Sequence, residues 1–302
     1  MKITAAEEWL PVYEALASRV RLRMIELLSV KEHNVKELAE SLGLSSAIMS
    51  MHVRKLEQAG LIVAEPRRSG GGNQKVCRLA VNRLEVAFPA GRGLERPFVE
   101  ATVPVGHYTD FDIRPTCGLA TTAKMIGQFD DPRYFYEPER VNAGILWFGQ
   151  GFVEYKIPNY LLASQLPEEL ELSFELGSEA PGINEQWPSD ITFSINGKEI
   201  GTWTSPGDFG GQRGACTPEW WPANINQYGF LKILRVTNEG TFLDGEELSK
   251  VKIAELEPGL KQWTLRFEVK PNARHVGGLT LFGRGFGNYG RDIGLKVFYR
   301  ER

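Results

Sequence analysis

Apolar residues recur at helical spacing through the first sixty or so positions of this sequence, and at a spacing of two from about residue 98 onward. A helix buries a stripe every three to four residues and a strand buries alternate ones, so the two patterns belong to separately packed layers. The switch predicts an α+β chain of two domains, and 302 residues can give each its own core.

The helical part carries its most specific signal between Asn34 and Leu61. Asn34 followed three residues later by Glu37 is a capping box, and Val35, Leu38, Ala39 and Leu42 share one helix face. Gly43 can take the left-handed conformation that ends this helix, and Ser45 is a good N-cap for the next. In the second helix Met49, Val53 and Leu56 make a buried stripe with help from His52, which leaves Ser46, Ala47, Ser50, Met51 and Arg54 facing out. Small residues near a helix start permit close approach to a groove. The hydroxyls of Ser46 and Ser50 can meet phosphates or base edges, and Ala47 and Met51 can lie against thymine methyls.

Downstream, residues 61–64 and 76–81 read as strands flanking a Gly-rich tip. Four basic residues, Arg67, Arg68, Lys75 and Arg78, and no acid lie between positions 67 and 78, as a backbone or minor-groove contact requires. The order helix, turn, helix, strand, basic tip, strand predicts a winged helix-turn-helix over residues 1–81. Its DNA contacts are expected from Ser45, Ser46, Ala47, Ser50, Met51, Arg54 and Lys55 on the helix, and from Arg67, Arg68, Asn73, Gln74 and Lys75 on the wing.

Residues 15–28 (ALASRVRLRMIELL), 35–39 (VKELA) and 50–62 (SMHVRKLEQAGLI) resemble the ArsR-type winged-helix transcription regulators. The resemblance covers about the first 80 residues and implies a regulator that binds a double-stranded operator. Two departures matter. Metal-sensing members carry a cysteine pair on the first helix of the motif, where this chain has residues 35–39 and no cysteine. The usual polar or basic residue before the histidine is Met51 here.

Thr4 followed by Glu7 reads as a second capping box, opening a helix that carries Trp9, Leu10, Tyr13 and Leu16. In the resembled family a leading helix helps to pair protomers. A homodimer on a palindromic operator is expected in any case, because one winged helix reads only a half-site. The charge distribution agrees. Residues 1–80 hold 12 Lys and Arg against 9 Asp and Glu, a net +3, whereas residues 81–302 hold 23 against 29, a net −6. The positive charge sits with the DNA module although the whole chain is at −3. No apolar run reaches the length of a membrane span, and the acidic start MKITAAEEWL is unlike a signal sequence, so a cytoplasmic location is expected.

Residues 82–97, punctuated by Pro89, Gly91, Gly93 and Pro97, read as a linker. Beyond it, candidate strands cover residues 98–105, 144–155, 170–176, 191–195, 199–204, 230–236, 251–256, 263–269, 278–282 and 294–299. Asn196-Gly197 between two of them is a two-residue hairpin signal. Ten short strands with no long helix between them predict an antiparallel β-sandwich of jelly-roll type over residues 98–302, acting as an effector-binding domain.

Two long loops, residues 205–229 and 283–292, mix glycines with aromatic, amide and charged residues. Flat rings against the apolar face of a sugar, bracketed by groups that bond hydroxyls, are what a carbohydrate site requires. The candidate ligand residues are Trp187, Arg213, Trp220, Trp221, Asn226, Arg284, Asn288, Tyr289 and Arg291, with Asp110. Trp147, Trp203 and Trp263 fall inside strands and are expected in the core. The chain as a whole resembles bacterial regulators that join an ArsR-type head to a sandwich domain, and the effector expected is a sugar or short oligosaccharide.

Cys77, Cys117 and Cys216 are widely spaced and without a C-x-x-C, and nothing in their spacing with His107 and His275 supports a metal site. No cofactor is expected. Asp110 and Asp112 lie on one side of an extended segment beside His107, a pair an enzyme could use, but there is no nucleophile elbow, phosphate loop or dinucleotide fingerprint and no catalytic residue is assigned. The alternatives are a metal- or thiol-responsive regulator, a sandwich that serves only dimerisation, and a carbohydrate-active enzyme.

Overall fold

The computed structural model describes residues 1–69, 72–81, 84–88 and 96–302, with the side chains of 68, 69, 72 and 73 outside that description. The chain divides into two compact units, Met1–Glu95 and Arg96–Arg302.

The first unit runs β1 (Lys2–Thr4), α1 (Leu10–Leu16), α2 (Arg19–Val30), β2 (His33–Asn34), α3 (Val35–Leu42), α4 (Ser46–Gln58), β3 (Ile62–Ser69), β4 (Gly72–Leu79) and β5 (Glu85–Ala87). It is a winged helix-turn-helix. Met24 and Leu28 from α2, Leu38 from α3, and Met49, Val53 and Leu56 from α4 meet in one core that Cys77 of β4 closes. Each such side chain contributes roughly 1.5–3 kcal/mol by leaving water. The wing is a three-stranded sheet in the order β2-β4-β3, with Asn34 opposite Val76 and Arg67 opposite Gln74.

Two expectations for this unit change. Thr4 does not cap a helix: it lies in β1, opposite Ala87, and its carbonyl accepts a hydrogen bond from the Tyr13 hydroxyl at 2.7 Å. The helical path begins instead with a 3-10 turn at Glu7–Trp9 that has no side-chain cap. Within the stretch read as a linker, Glu85–Ala87 is a strand paired in parallel with Lys2–Thr4, a pairing between chain segments some 80 residues apart that local composition does not encode. Residues 82–83 and 89–95 of that stretch lie outside the described residues.

The second unit is mostly sheet. Its strands are β6 (Phe98–Val103), β7 (Asp110–Ala120), β8 (Met125–Ile126), β9 (Ile145–Pro158), β10 (Gln165–Gly177), β11 (Ser189–Ile195), β12 (Lys198–Ser205), β13 (Phe230–Thr237), β14 (Thr241–Leu243), β15 (Glu246–Ser249), β16 (Gln262–Val269), β17 (Leu279–Phe282) and β18 (Ile293–Glu301). Every pairing among them is antiparallel. They form one continuous sheet, because the short β17 pairs with β9 on one side and β10 on the other. The path β12-β11-β16-β9-β17-β10-β13-β14-β15 nearly closes on itself, with the Ser249 hydroxyl of β15 donating to the Ile200 carbonyl of β12 at 2.6 Å. The result is barrel-like. Its interior is filled by rings such as Phe174, Phe193 and Phe267, the first and last meeting edge to face at 4.9 Å.

Asn196 and Gly197 both have positive φ, 49° and 77°, and turn β11 into β12 as the sequence predicts. Residues 251–256 are not a strand: Ile253–Leu256 is a 3-10 turn whose two end residues are buried, a spacing of three that suits a turn better than alternation. The long β7 is not among the candidate strands although its first half alternates, with Asp110, Asp112 and Arg114 exposed and Ile113 buried.

Candidate functional site

The helix α4 is fixed at its start and again in its middle. Asn34 accepts from the Glu37 N–H at 2.9 Å while Glu37 accepts from the Asn34 N–H at 2.8 Å, so α3 starts at a fixed point. Gly43, at φ 65°, ends α3, and Ser45 accepts from the Ile48 N–H at 3.3 Å to begin α4. Arg21 then ties three helices together: its guanidinium donates to the Ala15 carbonyl at 2.6 Å, to the Glu14 carbonyl at 2.7 Å, and lies 3.3 Å from Nδ1 of His52 on α4. Burial, and next the charge of Arg21, lower the His52 pKa, so the imidazole sits in the motif neutral at pH 7. Arg21 carries no sequence signal of this role, since its partner on α4 is 31 positions away.

With Met49, Val53 and Leu56 buried, Ser45, Ser46, Ala47, Ser50, Met51, Arg54 and Lys55 are all exposed on α4, Met51 to 55%. Ile48, 45% exposed, is the other large apolar side chain at the exposed start of this helix. The Ser50 hydroxyl is turned back onto the Ser46 carbonyl at 2.8 Å.

The wing is anchored to the same helices. Asn34 Nδ2 donates to Gln74 Oε1 at 3.0 Å, so one residue both caps α3 and fixes the returning wing strand. Arg67, Gln74 and Lys75 are exposed. The wing is less free in charge than its own sequence window implies. Arg67 pairs with Glu32 at 2.7 Å, Lys75 with Glu57 at 2.9 Å and Arg78 with Glu65 at 3.6 Å, two of these acids coming from outside the hairpin. Exposed pairs of this kind are worth ~0–1 kcal/mol, so a phosphate can displace the acid. The side chains of Arg68 and Asn73, and Gly70 and Gly71 at the tip, lie outside the described residues.

In the sheet unit the two long loops do come together. Cys216 N–H donates to the Gly287 carbonyl and Ala215 N–H to Asn288 Oδ1. Glu175, at the end of β10, accepts from the N–H groups of Gly229, Asn288 and Tyr289, pinning one loop to the other, while burial pushes its carboxyl up to about 7. Glu175 was invisible in the sequence, where it alternates like any outward strand residue.

The ligand candidates separate under this packing. Trp221 is 1% exposed, donates to the Asn226 carbonyl at 2.9 Å, and packs edge-on against Trp147 and Phe286. Arg213 bonds the carbonyls of Pro218 and Trp221, and Asn226 is buried against Glu179 and Thr280, each at 2.8 Å. These three hold the loop itself. Trp220 keeps 38% of its surface exposed although its indole N–H reaches the Thr122 carbonyl, Tyr289 is 39% exposed, and Arg284 is exposed beside Asp292. Asn288 and Arg291 are half-buried in the same loop. Asp110 lies elsewhere, at the exposed start of β7 opposite Glu154, and Asp112 is paired with Arg114. Trp187 belongs to a different hollow, lined also by Glu179. As expected for strand residues, Trp147 and Trp263 are buried; Trp203 is half-buried under the Lys232 ammonium.

Cys77 and Cys117 are buried, and burial pushes their thiols up to about 11 and about 12, which keeps them protonated and unreactive. His275 is bound to Asp190 at 3.1 Å. Among the described residues no group of three His, Cys, Asp or Glu is placed to hold a metal ion, and no helix is long and apolar enough to cross a membrane.

The family described as bacterial regulatory protein, arsR family, matches residues 18–63, which span α2 to the first residues of β3. An uncharacterized HTH-type transcriptional regulator of Methanocaldococcus jannaschii is 36% identical over 65 residues, 22% of this chain and 68% of that protein. Among solved structures, Rv0081 of M. tuberculosis is 33% identical over 23% of this chain and 66% of its own, with a TM-score of 0.21. The homodimeric winged helix-turn-helix DNA-binding domain of a possible ArsR-family regulator from Mycobacterium bovis is 30% identical over 24% of this chain and 63% of its own, with a TM-score of 0.21. The chain thus spans just under two thirds of those two solved chains. Taken with the exposed recognition helix and its wing, the similarity to the archaeal regulator places the chain in the arsR family of bacterial regulatory proteins, as a DNA-binding transcriptional regulator.

Proposed function

We propose that this regulator acts as a homodimer on a palindromic operator, and that a small neutral ligand, a sugar or short oligosaccharide, bound in the residues 98–302 effector domain sets its affinity for DNA. The observation that carries the DNA arm is the exposed face of α4 from Ser45 to Lys55 beside the wing cations Arg67 and Lys75. The helix enters the major groove, with Ser46, Ala47, Ser50 and Met51 against base edges and methyl groups, while the wing grips the phosphate backbone. Arg68 and Asn73 join that grip. The effector arm is supported by a large sheet unit, Arg96–Arg302, with aromatic- and amide-lined loops. A ligand can change operator affinity only by binding one arrangement of the two heads better than the other.

The test is binding of the full chain to a selected operator across a salt series. Arg67→Ala and Arg68→Ala should lower affinity for every sequence and each reduce the salt slope by about one unit. Ser50→Ala and Met51→Ala should instead change which bases are preferred. Identical behaviour of the two pairs would mean that the groove assignment is wrong, and an operator affinity indifferent to every sugar tried would remove the effector arm.

A further inference from the structure

The β7–β9 ladder slips in register between Arg114, opposite Gln150, and Cys117, opposite Phe148, so that Pro115 and Thr116 together face the single residue Gly149. Bulges of this kind commonly re-aim side chains beside binding sites. Here the slip opens the wall of the sheet unit next to its seam at β17. Two hollows of about 270 and 250 Å³ lie there and share Thr116, Glu179 and Pro181. Side by side they reach the range of small-molecule sites, which begins near ~300 Å³.

Their linings are of one kind. Trp187 walls the first hollow together with Gln150. Trp147 and Phe129, whose rings lie 5.7 Å apart, wall the second together with Asn226. Between them stands Glu179, 8% exposed, with its carboxyl held by Asn226 at 2.8 Å, Thr280 at 3.0 Å and Thr116 at 3.3 Å. The indole N–H of Trp187 is buried and has no hydrogen-bond partner, which is uncommon for a buried donor. Neither lining contains a lysine or arginine, so nothing there compensates an anionic ligand. Burial, and next the neighbouring Asp208, raise the Glu179 pKa well above its ordinary value.

We propose that these joined hollows, with Trp187 and Phe129 as aromatic faces and Thr116, Gln150 and Glu179 as polar contacts, are the effector site and take a neutral polyhydroxylated ring. The proposal rests on the effector reading given above and moves the site from the exposed loop residues Trp220, Arg284 and Tyr289 to the flank of the loop that holds Asn226. Aromatic faces take the apolar side of a sugar ring, and amide, hydroxyl and carboxyl groups bond its hydroxyls.

The experiment is calorimetric titration of the full chain with glucose, galactose, mannose, maltose, cellobiose and lactose, with gluconate as the anionic control and choline as the cationic one. At least one neutral sugar should bind saturably and gluconate should not. Trp187→Ala should weaken binding at least tenfold and Gln150→Ala severalfold, while Trp220→Ala stays within twofold. Gln150 is half-exposed, so its variant decides the matter even if Trp187→Ala fails to fold. Absence of binding by all six sugars, binding of choline alone, or binding lost in Trp220→Ala but kept in Trp187→Ala overturns the site. Operator binding separates the two readings. A sugar that binds through Trp187 yet leaves operator affinity unchanged removes the effector reading and keeps the site. A sugar that shifts operator affinity equally in Trp187→Ala and the unaltered chain removes the site and keeps the effector reading.

Discussion

Asp208 offers a sharp test of how the sheet unit is held together. It is 2% exposed, one carboxyl oxygen accepts from the Ala180 N–H at 3.1 Å, and the other is buried without a partner. Burial pushes its pKa from the ordinary 3.8 up to about 7. Between those values the folded chain carries a proton that the unfolded chain has released, so raising the pH favours unfolding. The stabilisation is fully present below about pH 4 and is lost as the pH climbs toward 7. At ~1.4 kcal/mol per unit, the whole separation amounts to about 4 kcal/mol. Glu179 is raised by burial and then by Asp208, so it adds to the slope in the same direction. Asp208→Asn keeps an acceptor for Ala180 and cannot ionise. It should match the unaltered chain within ~1 kcal/mol near pH 4, exceed it by about 1.5 kcal/mol at pH 5, and exceed it by about 4 kcal/mol at pH 8. Urea denaturation followed by tryptophan fluorescence reads this unit selectively, since six of the seven tryptophans lie beyond residue 140. A wild-type stability that is flat or rises from pH 5 to pH 8, or an Asn variant that tracks it throughout, would falsify the assignment of a protonated buried carboxyl.

Three further outcomes are expected. Asn34→Ala removes the α3 cap and the tie to Gln74 together, and should cost the N-terminal unit about 1–2 kcal/mol by helical circular dichroism; an unchanged melting curve there contradicts the shared role. Trp221→Ala empties the cluster formed with Trp147, Phe282 and Phe286 and should cost ~3–5 kcal/mol in the sheet unit, whereas a loss below ~1 kcal/mol would mean that the loop packs loosely. Glu57→Gln frees Lys75 from its 2.9 Å partner and should tighten operator binding severalfold at low salt with the difference fading at high salt; no change at low salt means that Lys75 does not meet phosphate.

By itself the sequence determined the helix-turn-helix from Asn34 to Gln58 almost to the residue, because its signals are local. The Asn34–Glu37 box, the left-handed Gly43, the Ser45 cap and the Met49–Val53–Leu56 stripe each act within a few positions of themselves. It also determined that an antiparallel sheet unit follows and where the Asn196-Gly197 hairpin turns. Tertiary structure alone decided everything that depends on contacts between distant segments. It made β17 the seam of one continuous sheet, turned Thr4 into a strand residue opposite Ala87, and supplied Glu32 and Glu57 to wing cations that looked unopposed. It buried Trp221 and Asn226, which read as ligand groups, and assembled Thr116, Glu179 and Trp187 around two hollows, although the three are scattered over some 70 positions. A side chain's chemistry is written at its own position, but whether that chemistry faces solvent, a ligand or the core is settled by chain segments that meet only after folding.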